Sequence, residues 1–297
     1  MAEATGLKSV LVFLETVKIE HSVFALPFAM VGMVLASVEA GGGAWPGWRI
    51  AGWIVLAMVA ARTSAMAFNR IVDRESDAAN PRTQMRAIPA GLLSLRKANL
   101  YFIVSLALFF LSAWQLNALA LALSPVALIV ILGYSLAKRF TWLCHWVLGL
   151  GLGIAPAAAW IGVTEALDPR IVWATTAVTF WTAGFDLIYS LQDERFDRES
   201  GLFSVPSRFG SRGALAVSRA SHSVAVLCLC GLVWSFGLGA WAWIGVALAA
   251  ALLAYEQSLV RHDDLSRVNA AFFTMNGFVS IGFFAFLLAD VLGRHVA

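Results

Sequence analysis

The chain has 297 residues, 60% hydrophobic and only 13% charged, with a formal net charge of +3 and a mean hydropathy of +0.78. Soluble domains carry roughly 25% charged and 45–50% apolar residues, so a water-soluble globule is excluded. A nucleic-acid partner is not expected, and nothing points to an obligate protein partner.

Residues 3–20 alternate Leu, Val and Phe with Lys and Glu. They read as an amphipathic helix on a membrane surface, or as a helix continuing into the first span. No signal peptide is expected, since the first long apolar stretch follows Glu15, Lys18, Glu20 and His21 and ends in no small-residue cleavage site. Apolar runs of roughly 20 residues match a hydrocarbon core of about 30 Å crossed at 1.5 Å per residue. They fall near 22–39, 48–70, 98–115, 118–137, 142–163, 171–192, 214–236, 239–257 and 268–290, predicting an all-α polytopic membrane protein of nine transmembrane helices. Twelve Trp and twenty Phe suit such a solvent. Cys144, Cys228 and Cys230 lie in or beside these runs without zinc-ligand spacing and read as packing residues.

Polar residues are unevenly distributed between the two faces. The long connections 71–97 and 193–213, with 138–141, 258–267 and the N-terminus, hold most of the Lys and Arg, whereas Arg49, Arg170 and Arg294 fall on the other side. The excess of bases places the first face, with the N-terminus, in the cytoplasm and the C-terminus outside, as expected for an inner membrane. Orientation gives no reason for acids, yet Asp73, Glu75, Asp77, Asp193, Glu194, Asp197 and Glu199 crowd into the same two connections. They imply a bound cation.

The second span ends in Asn69-Arg-Ile-Val-Asp73-Arg-Glu-Ser-Asp77 and the sixth in Tyr189-Ser-Leu-Gln-Asp193-Glu-Arg-Phe-Asp197. On a continuous helix each set shares one face at steps of about 6 Å, an unfavourable gathering of charge unless a cation intervenes. The segments also share Asp-Arg-Glu-Ser at 73–76 and 197–200, and each precedes a Pro and Gly pair, Pro89/Gly91 and Pro206/Gly210. This suggests an internal duplication of about 120 residues within a single domain, with both clusters at one mouth of the bundle. Hard oxygen donors without His or Cys select Mg²⁺ or Mn²⁺, and Mg²⁺ is commonly held by one or two carboxylates plus substrate phosphate. Arg82, Arg86, Lys138 and Arg139 are placed to neutralise phosphate oxygens, although the orientation rule alone would also explain them.

Two ionisable residues fall at membrane depth. Arg62 lies seven residues before Asn69, where an unpaired charge costs roughly 3 kcal/mol on insertion scales. It reads as the binder of an anionic group in a pocket. Asp186, before Tyr189 and Asp193, is the matching acid, or Arg62's structural counter-ion.

These residues resemble the UbiA superfamily of intramembrane aromatic prenyltransferases, marked by Asn-x-x-x-Asp-x-x-x-Asp after the second helix and Tyr-x-x-x-Asp-x-x-x-Asp after the sixth. The likeness extends to Asn80-Pro-Arg82, Arg86-Ala-Ile-Pro89-Ala-Gly91, Tyr134-x-x-x-Lys138-Arg139 and Phe180-Trp-Thr through Asp186. It implies nine helices around a central lipid-open cavity with cytoplasmic cap loops, transferring a polyprenyl group from its diphosphate to an aromatic ring. By position, Asn69, Asp73, Asp77, Asp193 and Asp197 would hold two Mg²⁺, with Asp73 and Asp193 essential to catalysis. Arg82, Arg86, Lys138 and Arg139 would grip the diphosphate. Tyr189 and Asp186 would support the site wall, and Arg62 or Arg139 would take an aromatic carboxylate. Phe68 and Phe185 are candidates to face an allylic cation.

The bacterial 4-hydroxybenzoate polyprenyltransferases of ubiquinone synthesis are the nearest pattern, and 1,4-dihydroxy-6-naphthoate of a menaquinone route is the second acceptor. The sequence departs from the 4-hydroxybenzoate pattern at Lys18-Ile-Glu20-His21-Ser-Val-Phe-Ala-Leu-Pro27 and at Arg86-Ala-Ile-Pro89. A CDP-alcohol phosphotransferase would show Asp-Gly-x-x-Ala-Arg, which is absent from the sequence. A secondary transporter would use Arg62 and Asp186 as an ion path and the duplication as its repeat, but inverted repeats would place the equivalents of the acids near the midplane.

Overall fold

Nearly every residue of the computed structural model that carries regular structure is helical, as the apolar runs require. In lipid each backbone N–H and C=O must be satisfied within its own segment. Residues 6–17 and 22–296 are described, apart from the side chains of 22–25, 273, 295 and 296. Among them the order is α1 (Gly6–Thr16), α2 (Ser22–Glu39), α3 (Trp48–Val72), α4 (Arg74–Ala79), α5 (Leu95–Leu116), α6 (Ala118–Ala137), α7 (Cys144–Thr164), α8 (Val172–Ser190), α9 (Glu194–Glu199), α10 (Val205–Ser235), α11 (Ala240–Leu259) and α12 (Asn276–Val296).

The nine predicted spans fall on α2, α3, α5, α6, α7, α8, α10, α11 and α12. Eight of these are long and apolar enough to cross a membrane, and α2 adds a shorter apolar stretch over Leu26–Glu39. Two spans, α10 and α12, differ in extent from the prediction by more than a few residues. Helix α10 starts at Val205 rather than near 214, because Ser204 forms a capping box with Ser207 and Pro206 sits in the first turn, where its missing N–H costs nothing. Gly210 adopts a positive φ of 70° inside that helix and kinks it, so the Pro206/Gly210 pair lies within the span instead of preceding it. Before α12, Ala270–Met275 form a π-helical turn, a local widening that no 3.6-residue period reveals.

Helix α1 ends at Thr16 with Val17 in a turn, and it buries Phe13, with Val17 just beyond its end, against Ala67, Leu93 and Ala98 while Leu7 and Leu11 stay exposed. That supports the surface-helix reading over its described length; residues 3–5 and 18–20 of the predicted helix lie outside the described residues, as does His21. Leu100, Ile103, Val126 and Ile129 are exposed on α5 and α6, the arrangement expected where the surrounding solvent is lipid. Trp48, Trp114, Trp173, Trp234 and Trp241 are exposed at the helix ends remote from Asp73 and Asp193, which suits an interfacial aromatic belt. At that end Arg170 pairs with Asp168 and Glu39, and Arg294 with Asp290.

Small residues open the interior. Helix α3 presents Ala57, Ala61 and Ala65 at successive turns and α7 presents Gly151, Ala155 and Ala158, leaving a cavity of about 630 Å³ between α3, α5, α6, α7 and α8. The apolar core lies to one side, where Phe28, Trp181 and Phe283 cluster among α2, α8 and α12.

Candidate active site

The cavity runs from an apolar floor to a charged mouth built by the two acidic motifs. Neither motif sits on one unbroken helix. Asp73 ends α3 and begins α4, with φ −88° and ψ 5°; Asp193 ends a short 3-10 turn, Leu191–Asp193, and begins α9. The expected single-face stack is therefore corrected: in both motifs the chain bends at the middle carboxylate. The bend turns each short helix across the mouth, and Asp77 and Asp197 become buried.

The two motifs meet through bases carried by the intervening loops. Arg82 donates from Nε to Asp193 Oδ1 at 2.8 Å and from Nη2 to Oδ2, a bidentate pair. It also donates from Nη1 to the Tyr189 hydroxyl at 3.2 Å, with its guanidinium 5.4 Å from that ring's centroid. Arg86 pairs with Asp77 at 2.6 Å, Lys138 with Asp197 at 3.3 Å and Arg139 with Asp73 at 3.4 Å. Four bases thus neutralise four motif acids one to one. Glu75, Glu194 and Glu199 pair instead with Arg74, Arg198 and Arg195 outside the cavity.

Asn80 shows how local sequence sets this geometry. It precedes Pro81 and is extended, φ −88° and ψ 118°, as a residue before proline must be. Its Oδ1 accepts the Arg82 N–H at 2.9 Å while its Nδ2 donates to Asp193 Oδ1 at 3.1 Å. One side chain thus shapes the turn, aims Arg82 and touches the second motif. Sequence reading had noted Asn80 only within a matching segment.

Asn69 donates to Asp73 Oδ2 at 2.7 Å and accepts at Oδ1 from Arg70 at 3.2 Å, so its oxygen faces a base and Arg70 joins the lining. Burial, then the neighbouring Asp77, pushes the Asp73 carboxyl above its ordinary pKa, with Arg139 opposing. Burial is the largest single influence on Lys138 and lowers its pKa, but Asp197, Cys144, Asp186 and Asp193 together outweigh it, and the ammonium is held above its usual value. It remains a cation.

Arg62 lines the cavity two turns below Asn69, as predicted. Asp186 lines it too, and its hydrogen-bond partner is His145, at 2.7 Å, where the sequence offered Arg62 as a counter-ion. His145 is not among the residues singled out from the sequence: it lies beside Cys144 at a span's edge, and no motif spacing marks it. Phe185 lies on the lining, whereas Phe68 is absent from it and packs at a tilt against Phe102, ring centroids 5.6 Å apart; the helix turn carries it to the other face of α3. Phe272, on the π-helical turn, takes the place expected of Phe68, with its ring 4.4 Å from Tyr189 and 5.2 Å from Phe185.

The donor set fits Mg²⁺ bound together with a phosphate-bearing ligand. Its carboxylates are hard oxygen donors, and the buried Asp77 Oδ2 has no hydrogen-bond partner among the described residues. No three acid, His or Cys side chains among those residues converge closely enough to hold a metal ion alone.

Residues 25–281 match the UbiA prenyltransferase family. The chain is 31% identical over 223 residues to a 4-hydroxybenzoate octaprenyltransferase of Vibrio atlanticus, covering 75% of this chain and 78% of that protein. Against a 4-hydroxybenzoate octaprenyltransferase of Vibrio cholerae it is 30% identical over 247 residues, 83% and 86% of the two chains. Among solved structures, the apo UbiA homologue from Aeropyrum pernix K1 superposes with a TM-score of 0.82 at 37% identity, covering 92% of this chain and 98% of that one. The Archaeoglobus fulgidus UbiA homologue bound to GPP and Mg²⁺ shares the fold, with a TM-score of 0.68 at 21% identity over 95% and 99% of the chains. A multi-pass helical bundle whose paired acidic motifs close one end of an intramembrane cavity belongs, on these matches, to the UbiA prenyltransferase family.

Proposed function

We propose that the protein transfers a polyprenyl group from polyprenyl diphosphate to a small aromatic acid, with 4-hydroxybenzoate the first acceptor, in quinone biosynthesis at the bacterial inner membrane. The observation that carries this reading is the bridging of the two acidic motifs by Arg82 and Asn80 above an apolar cavity. Asn69, Asp73, Asp77, Asp193 and Asp197 would hold Mg²⁺, which when bound neutralises charge on the diphosphate oxygens.

The base-acid pairs define what the chain's own residues do. With diphosphate and divalent cations bound, the carboxylates would hold the metal and Arg82, Arg86, Lys138 and Arg139 would be released from their acid partners to pair with phosphate oxygens. These cations then stabilise the charge that grows as the allylic C–O bond breaks. The apolar walls exclude water from the resulting cation, and Phe185, Phe272 and Tyr189 offer it aromatic faces. Arg62, two turns deeper than Asn69 on the cavity lining, would receive the acceptor's carboxylate, with Arg139 the alternative. The prenyl tail remains in lipid, which holds it by about 0.8 kcal/mol per buried CH₂. The bend shared by the two motifs supports the reading of one domain with an internal duplication, its site loops facing the cytoplasm.

Incubating the purified protein with geranyl or longer diphosphates, Mg²⁺ and a panel of hydroxybenzoates and dihydroxynaphthoates, followed by mass analysis, tests the proposal. Prenylated 4-hydroxybenzoate is expected. Exclusive prenylation of 1,4-dihydroxy-6-naphthoate would move the protein to the menaquinone route, which the departure from the 4-hydroxybenzoate pattern at Arg86-Ala-Ile-Pro89 leaves open. Diphosphate release with no prenylated aromatic would refute aromatic transfer.

A further inference from the structure

Among the described residues lining the cavity, five are acids, and four of them belong to the motifs, each facing an Arg or Lys. The fifth, Asp186, lies on α8 seven residues before Asp193, about 10 Å deeper at 1.5 Å per residue. It faces a histidine. His145 has no exposed side-chain surface, whereas the Asp186 side chain is 21% exposed and borders the cavity. With a histidine rather than an Arg or Lys as its hydrogen-bond partner, the Asp186 carboxylate is not tied to one of the bases that would grip diphosphate.

The backbone fixes which nitrogen of His145 carries the proton. Val205 opens α10, and the first N–H groups of a helix have no partner within it. Its N–H donates to His145 Nε2 at 3.3 Å, so Nε2 is the acceptor, and the proton resides on Nδ1, which donates to Asp186 Oδ2 at 2.7 Å. The ring is thereby locked as a donor to one carboxylate oxygen, leaving the other lone pairs of Asp186 for the cavity.

Resting on the prenyl-transfer reading, we infer that Asp186 is the base that takes the ring proton of the aromatic acceptor, and that His145 is its positioning residue. The allylic C–O bond breaks and its electron pair leaves on the diphosphate. A ring carbon beside the phenolic oxygen supplies the pair for the new C–C bond. The hydrogen on that carbon passes as a proton to Asp186, its C–H electron pair restores the aromatic ring, and water entering with product release carries the proton away. His145 holds the carboxylate aimed, without itself touching the substrate.

H145N and H145L test this. Both lose the Val205 contact, but the Asn amide nitrogen falls near the position of Nδ1 and still reaches Asp186, whereas Leu only fills the space. H145L is expected to lower kcat by about 100-fold, with the KM for geranyl diphosphate changed by no more than about twofold, and H145N to recover most of that loss. Acceptor deuterated at the attacked carbon should show a primary isotope effect in H145L that is small in the wild type, which a purely structural role would not produce. Equal loss in both variants, or no isotope effect in H145L, overturns the assignment and returns His145 to a helix-capping role. If H145L does not fold, H145N decides alone: folded protein without transfer overturns it. A wild-type protein that prenylates none of the acceptors removes the prenyl-transfer reading, and this proposal with it, so the two failures are distinguishable.

Discussion

Asp193→Ala is expected to cut Mg²⁺-dependent prenyl transfer by about 1000-fold or more while leaving folded protein in the membrane, a loss on the scale of removing charge stabilisation from a transition state. Asp193 is where both halves of the mouth converge: it receives Arg82 through two oxygens and Asn80 through one. Its removal takes away a carboxylate proposed for the metal and releases the Arg82 guanidinium. The cost in stability is smaller, because the Arg82 side chain is 30% exposed and water can solvate it. Asp73→Ala should act in the same direction. Glu199→Ala is the control: this acid is exposed and pairs with Arg195 one turn away, and its loss should leave turnover unchanged. Initial rates of diphosphate release, measured beside size-exclusion profiles, check all three. Wild-type turnover in either Asp variant contradicts the roles given to the motifs.

The second large effect concerns the seam that carries the site. Helices α7 and α8 touch through glycine: a Cβ at Gly149 would lie 2.2 Å from the Thr179 carbonyl oxygen, and one at Gly153 would lie 2.6 Å from that of Thr175. Backbone cannot yield as a side-chain tip can, so Gly149→Ala must part the helices. Overpacking of this kind costs about 3 kcal/mol, and close approach through small residues is a principal source of helix association in lipid. The same seam holds His145 against Asp186, so transfer should fall along with stability. Gly151→Ala is the matched comparison, since its Cβ would meet Ile131 Cα at an ordinary 3.8 Å on the cavity side. Its thermal midpoint should stay near wild type, with a change within about 0.5 kcal/mol. Equal midpoints for the two variants would show that the seam tolerates a methyl group.

The sequence exposed the chemistry more fully than the architecture. Acids at every fourth position, in loops where orientation needs only bases, located Asp73, Asp77, Asp193 and Asp197, and the apolar runs located the spans to within a few residues, except for α10 and α12. Geometry set by pairs across the fold stayed hidden. Nothing in the spacing of Arg82 announces that it reaches 111 residues along the chain to Asp193. His145 is legible only once α7, α8 and the start of α10 are brought together. Phe68 and Phe272 traded places because a helix turn and a π-helical turn decide which ring faces inward, and a count of aromatics contains neither. The cavity itself comes from small side chains, Ala61, Ala65 and Gly151 among them, which read as ordinary span residues.

The most direct measurement is the affinity of a non-hydrolysable geranyl thiodiphosphate for the wild type and for D77N and D197N, with Mg²⁺ and with chelator. If carboxylates from both motifs share one metal-bound diphosphate, binding requires Mg²⁺, and each variant, drawn from a different motif, weakens it by at least about tenfold. Equal affinity in chelator, or full affinity in either variant, would contradict a shared site.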